Sequence, residues 1–250
     1  MSQPEYRIIT ARNNPELVKG TIPRINREWP EFMLHDTASA FLDACYTELP
    51  DFQFVLTESG CELPVAIGNS IPLHWTQAME KLPDEGWDWA ITTGIKAHRE
   101  GIRPTVLCAL QIVVFSGHQG KGISRRAVQA MIQRAREAGL NGLIAPVRPN
   151  RKCDYPLISI EEYLTWADVN GLFFDPWLRV HQSLGARLIR PCRKAMRITG
   201  TVAEWEKWTG RSFPKSGTYE IPGALVPVTI DRVADIGTYV EPNVWMHHPL

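Results

Sequence analysis

The chain has 250 residues, of which 44% are hydrophobic and 22% charged, enough for one large domain with a buried core. Lys+Arg and Asp+Glu both number 27, so a zero formal net charge gives no general attraction to nucleic acid or an anionic membrane. No apolar run approaches the roughly 20 residues that span a bilayer. The 5 cysteines lack the short spacing of zinc or redox motifs, so we expect a cytoplasmic protein without a bound metal.

The first hundred residues mix short apolar runs with prolines and tryptophans. Helical spacing of apolar residues predicts helices over residues 13–28, 37–47 and 75–82. Gly20 and Pro23 interrupt the first of these. Short runs of β-formers predict strands over residues 52–57 and 63–71, and Trp87-Asp88-Trp89 is interpreted as the anchor of another strand.

The middle of the chain has the clearest pattern. Residues 105–115 are continuously apolar and rich in β-branched side chains, which predicts a central strand buried on both faces. A glycine-bearing turn over residues 116–122 leads into an amphipathic helix over residues 123–137, and Gly139 stands where a helix stop is expected. Another strand is predicted over residues 143–147. The order is strand, glycine loop, helix, strand.

A long connection over residues 148–173 follows. Asp175 and Pro176 then open a second helix as N-cap and first-turn residue, and Gly185 ends it. A final pair of strands is predicted over residues 186–190 and 195–199. We expect residues 1–200 to form the main domain and residues 201–250 to be a C-terminal extension packed on it as an appendage.

The turn before the first helix has the features of an anion site. Successive backbone N–H groups at a helix start attract anions, and Gly120 and Gly122 allow close approach. Lys121 adds a positive charge. A Walker loop is excluded because Gly122 stands where Ser or Thr is required. A dinucleotide fingerprint is excluded because Arg125 replaces the third glycine.

Residues 119–124, Gln-Gly-Lys-Gly-Ile-Ser, match the pattern [QR]-x-x-G-x-[GA] apart from the serine in the last small position. Over about residues 105–190 the chain resembles the GNAT family of coenzyme A-dependent N-acetyltransferases. A weaker similarity is to the GNAT-like acyltransferase domains of polyketide loading modules. The resemblance implies an α/β (α+β) fold with a central mixed, mostly antiparallel sheet and flanking helices, in which two middle strands diverge to form the cofactor cleft.

The resemblance also implies a cofactor, acetyl-CoA, and residues that bind it. The pantetheine arm would lie on the backbone of Ile112, Val113 and Val114. The pyrophosphate would be held by Gln119, Gly120, Lys121, Gly122, Ile123 and Ser124. Transfer would be direct, with backbone N–H groups of the diverging strand stabilising the oxyanion and with no metal.

In this family the second helix ends in Y-x-x-x-G-F, and its tyrosine often protonates the leaving thiolate. Here His181 holds the tyrosine position and Ala186 replaces the aromatic residue. With an ordinary pKa of about 6.5, a histidine could deprotonate the nucleophile or protonate the thiolate. We expect acetyl transfer to an amine. Two alternatives remain open, which are acyl transfer to a carrier-protein thiol and a non-catalytic acyl-CoA-binding module.

The acceptor would be a small molecule or a carrier protein, and candidate substrate-binding residues lie in the long connection. These are Arg148, Tyr163 and Trp166, although simple aromatic packing is an alternative for the last two. His247 and His248 are too isolated in the sequence to predict a metal site. The tryptophans beyond residue 200 would cap the core or form a subunit contact, as in a homodimer.

Overall fold

The computed structural model describes residues 5–61 and 63–250, and its strands form one nine-stranded sheet. The strands are β1 (Tyr6–Thr10), β2 (Gln53–Glu58), β3 (Pro64–Leu73), β4 (Val106–Val114), β5 (Gly142–Val147), β6 (Arg187–Gly200), β7 (Gly217–Tyr219), β8 (Val228–Asp231) and β9 (Ile236–Pro249). The helices are α1 (Pro15–Lys19), α2 (Ile22–Glu28), α3 (Leu42–Glu48), α4 (Gly86–Arg99), α5 (Ile123–Glu137), α6 (Ile160–Tyr163), α7 (Pro176–Ser183) and α8 (Val202–Thr209).

The strand order is β1-β2-β3-β4-β5-β9-β8-β7, and β6 pairs with β9 off this path. The pair β4–β5 is parallel, while the other pairs of the described strands are antiparallel. The expected mixed, mostly antiparallel sheet with flanking helices is therefore confirmed. The single parallel pair results from the α5 crossover between β4 and β5.

Strand β4 is buried on both faces, as its apolar sequence predicts. Because successive side chains point to opposite faces, Cys108 packs in the core cluster that contains residues of α4. Its neighbour Leu107 packs in a second cluster with residues of α5. Helices α4 and α5 thus cover opposite faces of the sheet and hold β4 between them.

The two helices predicted around the glycine motifs are confirmed. Helix α5 begins directly after Gly122 and ends two residues before Gly139, whose φ of 67° is readily adopted by glycine. Helix α7 begins at Pro176, and the carboxylate of Asp175 caps it by accepting from the amides of Trp177 and Leu178. These local signals act within a few residues, which explains why the sequence predicts them well.

Several predictions for the first hundred residues are corrected. Residues 13–28 form two helices, and Pro23 lies in the first turn of α2 rather than interrupting a helix. Residues 37–41 form a 3-10 helix before α3. Residues 75–82 contain only a short 3-10 helix at Met79–Lys81. Trp87-Asp88-Trp89 lies in α4, not in a strand, because packing of an apolar helix face overrides the weak β-propensity of tryptophan.

The C-terminal predictions also change. The two strands predicted over residues 186–199 are one strand, β6, because its register shifts between Cys192 and Met196 relative to β9 without breaking the pairing. Residues 201–250 are not an appendage. Strand β9 lies inside the sheet, where Leu143 pairs with His248 and Val147 with Val244. The expected boundary at residue 200 therefore divides one continuous sheet.

Among the residues that the structure describes, no helix combines the length and apolar character needed to cross a membrane.

Candidate functional site

Strands β4 and β5 diverge soon after they meet. They pair through Leu107 with Leu143 and through Cys108 with Ile144, and at no later position of the two described strands. The register of β4 against β3 then shifts around Leu110. Pro146 in β5 has no N–H to donate to a neighbour. The register shift in β4 and the proline in β5 both oppose continued pairing, so a cleft opens between the two strands.

A cavity of about 900 Å³ occupies this cleft. One wall is formed by residues 109–114 of β4 and another by residues 145–148 at the end of β5. Helix α7 contributes Trp177, Val180 and His181, while the segment from α2 to α3 closes the opposite side. The volume is typical of sites for small molecules and cofactors. The divergence expected from the sequence therefore produces an actual binding cleft.

The glycine turn lies at one end of the cavity. Gly120 and Gly122 have φ of 74° and 73°, a conformation that side chains with a Cβ rarely adopt. No backbone or side-chain acceptor in the described part of the chain binds the amides of residues 119–122, and α5 has no side-chain cap. Free N–H groups of this kind, together with the positive end of the α5 dipole, are suited to bind an anion.

Most of the predicted cofactor-binding residues lie together along the cavity. Those that line it are Ile112, Val113, Val114, Gln119, Gly120, Gly122, Ile123 and Ser124. Lys121 does not line it and is exposed. The side-chain amide of Gln119 lies 3.5 Å from the carbonyl oxygen of Val114. This weak contact links the turn to the end of β4.

His181 in α7 lines the same cavity. Its side chain is only 2% exposed. The Nδ1 atom lies 2.9 Å from Nε2 of His248, and the Trp177 ring packs edge-on against the imidazole with centroids 4.5 Å apart. Because Nδ1 is occupied by His248, Nε2 is the ring nitrogen left for the cavity.

Burial lowers the pKa of His181 to about 3, and the neighbouring His248 ring adds to this effect. Burial also lowers the pKa of His248 to about 4. Both rings are therefore neutral at pH 7, so their hydrogen bond joins one N–H to one lone pair. A neutral His181 carries one N–H and one bare nitrogen, so its tautomer decides whether it donates to the cavity or accepts from it.

Arg148 lines the cavity but is paired inside the protein. Its Nε donates to both carboxylate oxygens of Glu241 at 3.0 Å, and Nη2 donates to the Gly223 carbonyl at 2.6 Å. Its guanidinium also lies 5.7 Å from the centroid of the Trp29 ring. Nη1 has no acceptor among the described residues and is the one nitrogen available to a ligand.

The structure does not bring Tyr163 and Trp166 to the cavity. Both rings belong to an aromatic cluster with Tyr155 and Phe174, in which centroid separations are 4.8–6.2 Å. The Tyr163 hydroxyl donates to the Asp175 carboxylate at 2.8 Å. This cluster holds the long connection against the start of α7, so the packing alternative accounts for both residues.

Two features of the cavity are absent from the sequence prediction. The segment from α2 to α3 contributes a wall with Trp29, Asp43 and Tyr46, although nothing in that segment resembles a motif. His248 contacts His181 across 67 positions of sequence. Only the position of β9 beside β5 brings the two histidines together, and spacing along the chain does not encode that proximity.

No group of three or more His, Cys, Asp or Glu side chains among residues 5–61 and 63–250 is arranged to hold a metal ion. The His181–His248 pair has no third ligand of this kind and is a hydrogen-bonded pair.

Comparison with known proteins supports this geometry. Residues 83–153, which contain β4, the glycine turn, α5 and β5, match the model of the Acetyltransferase (GNAT) family. The whole chain is similar to the arginine N-acetyltransferase avaD of Aspergillus versicolor, with 31% identity over 277 residues that cover 99% of this chain and 95% of the relative.

Two solved structures share the fold. The loading GNATL domain of CurA from Lyngbya majuscula has a TM-score of 0.63 at 16% identity, covering 98% of both chains. The GphF GNAT-like decarboxylase, in complex with isobutyryl-CoA, has a TM-score of 0.55 at 15% identity, covering 97% of this chain and 98% of that chain. The weaker similarity to loading domains is thereby confirmed for the fold. This chain belongs to the GNAT family of acetyltransferases and is an acyl-CoA-dependent N-acetyltransferase whose acetyl donor is acetyl-CoA.

Proposed function

We propose that the chain acetylates the amine of a small cationic amino acid of the arginine class, directly and within the cavity between β4 and β5. The observation that carries this proposal is that one cavity joins the anion-binding turn, the diverging strands and His181. The amides of Gln119, Gly120 and Gly122 would bind the diphosphate at one end. The backbone of Ile112, Val113 and Val114 would hold the pantetheine arm.

His181 would manage the proton of the acceptor. Acetyl-CoA supplies the acetyl group in activated form, as a thioester. An amine attacks only in its neutral form, so its ammonium group must first lose a proton. Nε2 of a neutral His181 can accept that proton, directly or through one water. If Nδ1–H of the resting ring is bound to His248, Nε2 carries no proton and first accepts one from the amine. That proton can then pass to the leaving thiolate, so coenzyme A departs as the free thiol.

The charges of the cavity wall support an acceptor with both a carboxylate and a cationic side chain. Nη1 of Arg148 is a charged donor that could bind the carboxylate. Asp43 lines the cavity, is exposed and has no ion-pair partner among the described residues, so it could bind a guanidinium group. The related avaD protein is an arginine N-acetyltransferase. These observations together favour arginine over an uncharged amine.

The test is release of free thiol from acetyl-CoA by the purified protein with a panel of acceptors. We expect the highest kcat/KM with arginine, a lower value with agmatine, which lacks the carboxylate, and a lower value with citrulline, which lacks the cation. Thiol release with a carrier protein but with no amine would replace this proposal by carrier loading. Tight acetyl-CoA binding without release in any mixture would instead favour a non-catalytic module.

We also propose that the protein works in the cytoplasm. Its cysteines are free in the structure, and three of them, Cys45, Cys108 and Cys192, are buried. Reduced thiols are usual in that compartment. A homodimer contact stays a prediction, which sedimentation of the purified protein would test.

A further inference from the structure

The ring of His248 is the nearest polar neighbour of His181 and has no function in the reaction described above. His248 is 2% exposed and lies in β9, where it pairs with Leu143 of β5. Its Nε2 lies 2.9 Å from Nδ1 of His181. A buried histidine with one polar contact, and that contact at the reacting end of the site, calls for a physical explanation.

We propose that His248 is a positioning residue that fixes the tautomer of His181, so that Nδ1 carries the proton and Nε2 presents its lone pair to the acceptor amine. This inference rests on the proposed function of His181 and adds to it the residue that keeps the lone pair on Nε2.

Two arrangements of the hydrogen bond are conceivable because both rings are neutral at pH 7. If His248 Nε2–H donates, then His181 Nδ1 supplies the lone pair and Nε2–H faces the cavity as a donor. If His181 Nδ1–H donates, then Nε2 faces the cavity as an acceptor. Only the second arrangement allows His181 to take a proton from an amine.

The function proposed for His181 requires the second arrangement, because only a bare Nε2 can accept the proton of the amine. The contact of 2.9 Å couples the two rings, so the tautomer of His248 decides the tautomer of His181. The other nitrogen of His248, Nδ1, is buried and has no hydrogen-bond partner among the described residues, so Nε2 is the nitrogen through which this ring interacts.

The position of His181 is fixed on its other side as well. Trp177, one turn earlier in α7, packs edge-on against the imidazole, so the ring is held between Trp177 and His248. An imidazole fixed in this way loses little conformational freedom when the acceptor binds, which is how a well-placed base contributes to the rate.

The direct test is the tautomer itself. Long-range ¹H–¹⁵N correlation spectra of the ¹⁵N-histidine-labelled protein at pH 7, assigned with His181→Ala, should show His181 protonated on Nδ1 and bare at Nε2. His248→Leu removes the acceptor and should shift the His181 signals toward the Nε2-protonated form. A wild-type His181 that is already protonated on Nε2 would overturn the proposal whatever the activity.

The kinetic test separates positioning from folding. His248→Leu should lower kcat by about 10- to 1000-fold, in the range assigned to a positioned general base, with KM for acetyl-CoA unchanged. His248→Gln keeps an acceptor oxygen near the place of Nε2 and should recover most of that loss. His247→Leu is the matched control, because adjacent strand residues face opposite sides of the sheet, and it should leave kcat and the His181 signals unchanged.

These outcomes distinguish the two proposals. If His248→Leu keeps full kcat while His181→Ala loses it, His248 has no positioning function and the proposed function stands. If both variants are fully active although the tautomer is as inferred, His181 is not the base, and it is the proposed function that fails.

Discussion

Arg148 and Glu241 form a buried ion pair in which Nε of the arginine lies 3.0 Å from each carboxylate oxygen. The Glu241 side chain is fully buried, and it also accepts from the Tyr239 hydroxyl at 2.8 Å. The carboxylate therefore holds the guanidinium at the cavity wall. The pairing with Glu241 occupies Nε and leaves Nη1 without an acceptor among the described residues.

Removal of the charge of Glu241 should lower the free energy of unfolding of the protein. Glu241→Gln leaves Arg148 as a largely buried cation without a counter-charge, which costs about 3–5 kcal/mol when a buried pair is broken. Urea denaturation followed by circular dichroism measures the change. Glu161→Gln is the control, since the Arg193–Glu161 pair has the shorter distance of 2.7 Å but is about half exposed; we expect a change of about 0.5 kcal/mol or less there. Equal effects of the two variants would show that burial of the pair is energetically unimportant.

The glycine turn offers a test of the anion site with its own control. Gly122 and Gly139 flank α5 with nearly equal φ of 73° and 67°, and a Cβ at either would meet no atom within 4 Å. Gly122→Glu and Gly139→Glu should therefore strain the backbone alike, by about 1–2 kcal/mol. Only Gly122→Glu places a negative charge at the positive end of α5, where the diphosphate is expected.

Titration calorimetry with coenzyme A should show at least a tenfold weaker Kd for Gly122→Glu and an unchanged Kd for Gly139→Glu. If the Gly122 variant bound coenzyme A as tightly as the unaltered chain, the turn would not be the diphosphate site.

The carboxyl groups of Asp36 and Asp88 interact with each other in the folded chain. Asp36 accepts from the Ala38 amide and Asp88 from the Arg197 amide, which leaves one buried oxygen on each. Burial raises the pKa of Asp88 to about 8, and the charge of the neighbouring Asp36 adds to the rise. Asp88 thus keeps its proton at neutral pH.

The raised pKa of Asp88 predicts how stability changes with pH. The folded chain holds a proton that the unfolded chain releases above its ordinary pKa of 3.8, so this contribution to stability is complete below pH 3.8 and is lost as pH rises toward 8. Asp88→Asn removes that loss. The Tm of the variant minus the Tm of the unaltered chain should therefore increase from pH 4 to pH 8 and stay constant above pH 8.

Thermal melts at intervals of one pH unit measure this difference. Asp51→Asn serves as the comparison, because a hydrogen bond from Arg12 lowers the pKa of Asp51. Its contribution to stability is lost only as pH falls below its ordinary pKa of 3.8 and is therefore constant from pH 4 to pH 8. A difference between Asp88→Asn and the unaltered chain that stayed constant from pH 4 to pH 8 would contradict a protonated Asp88.

The lowered pKa of His181 makes a separate kinetic prediction. A base with a pKa of about 3 stays neutral throughout the range in which the protein is folded. At saturating acetyl-CoA and arginine, kcat should therefore show no ionisation near pH 6.5, and His181→Ala should lower kcat by about 10²–10⁴-fold at every pH. A decrease of kcat toward acid pH with a midpoint at pH 6–7, absent in His181→Ala, would mean that the pKa of His181 is not lowered.

The sequence predicted those parts of the fold that short-range chemistry determines. The limits of α5 follow from Gly122 and Gly139, and the start of α7 follows from the Asp175 cap. Strand β4 was predicted because a run buried on both faces has no polar alternation. The diverging strands came from the family resemblance, and the structure contains them.

The remaining parts depend on contacts between distant residues. The tryptophans of Trp87-Asp88-Trp89 suggested a strand, but the apolar face of α4 packs on the sheet and determines its helical form. Tyr163 and Trp166 looked like a substrate wall, whereas their rings pack in a cluster with the connection itself. His248 reaches His181 only through the pairing of β9 with β5. Sequence spacing contains no information on any of these contacts.

The place of β9 in the sheet has a consequence for how the protein is made. A ribosome adds residues in order, so β5 and β6 have left the exit tunnel before the strand that pairs with both of them is complete. Until then the unpaired N–H and C=O groups of β5 form an open edge, and the apolar surface beside it is exposed to solvent. The nascent chain therefore depends on a strand that is made after both of its partners, and chaperones that shield open strand edges would have the most effect during that interval.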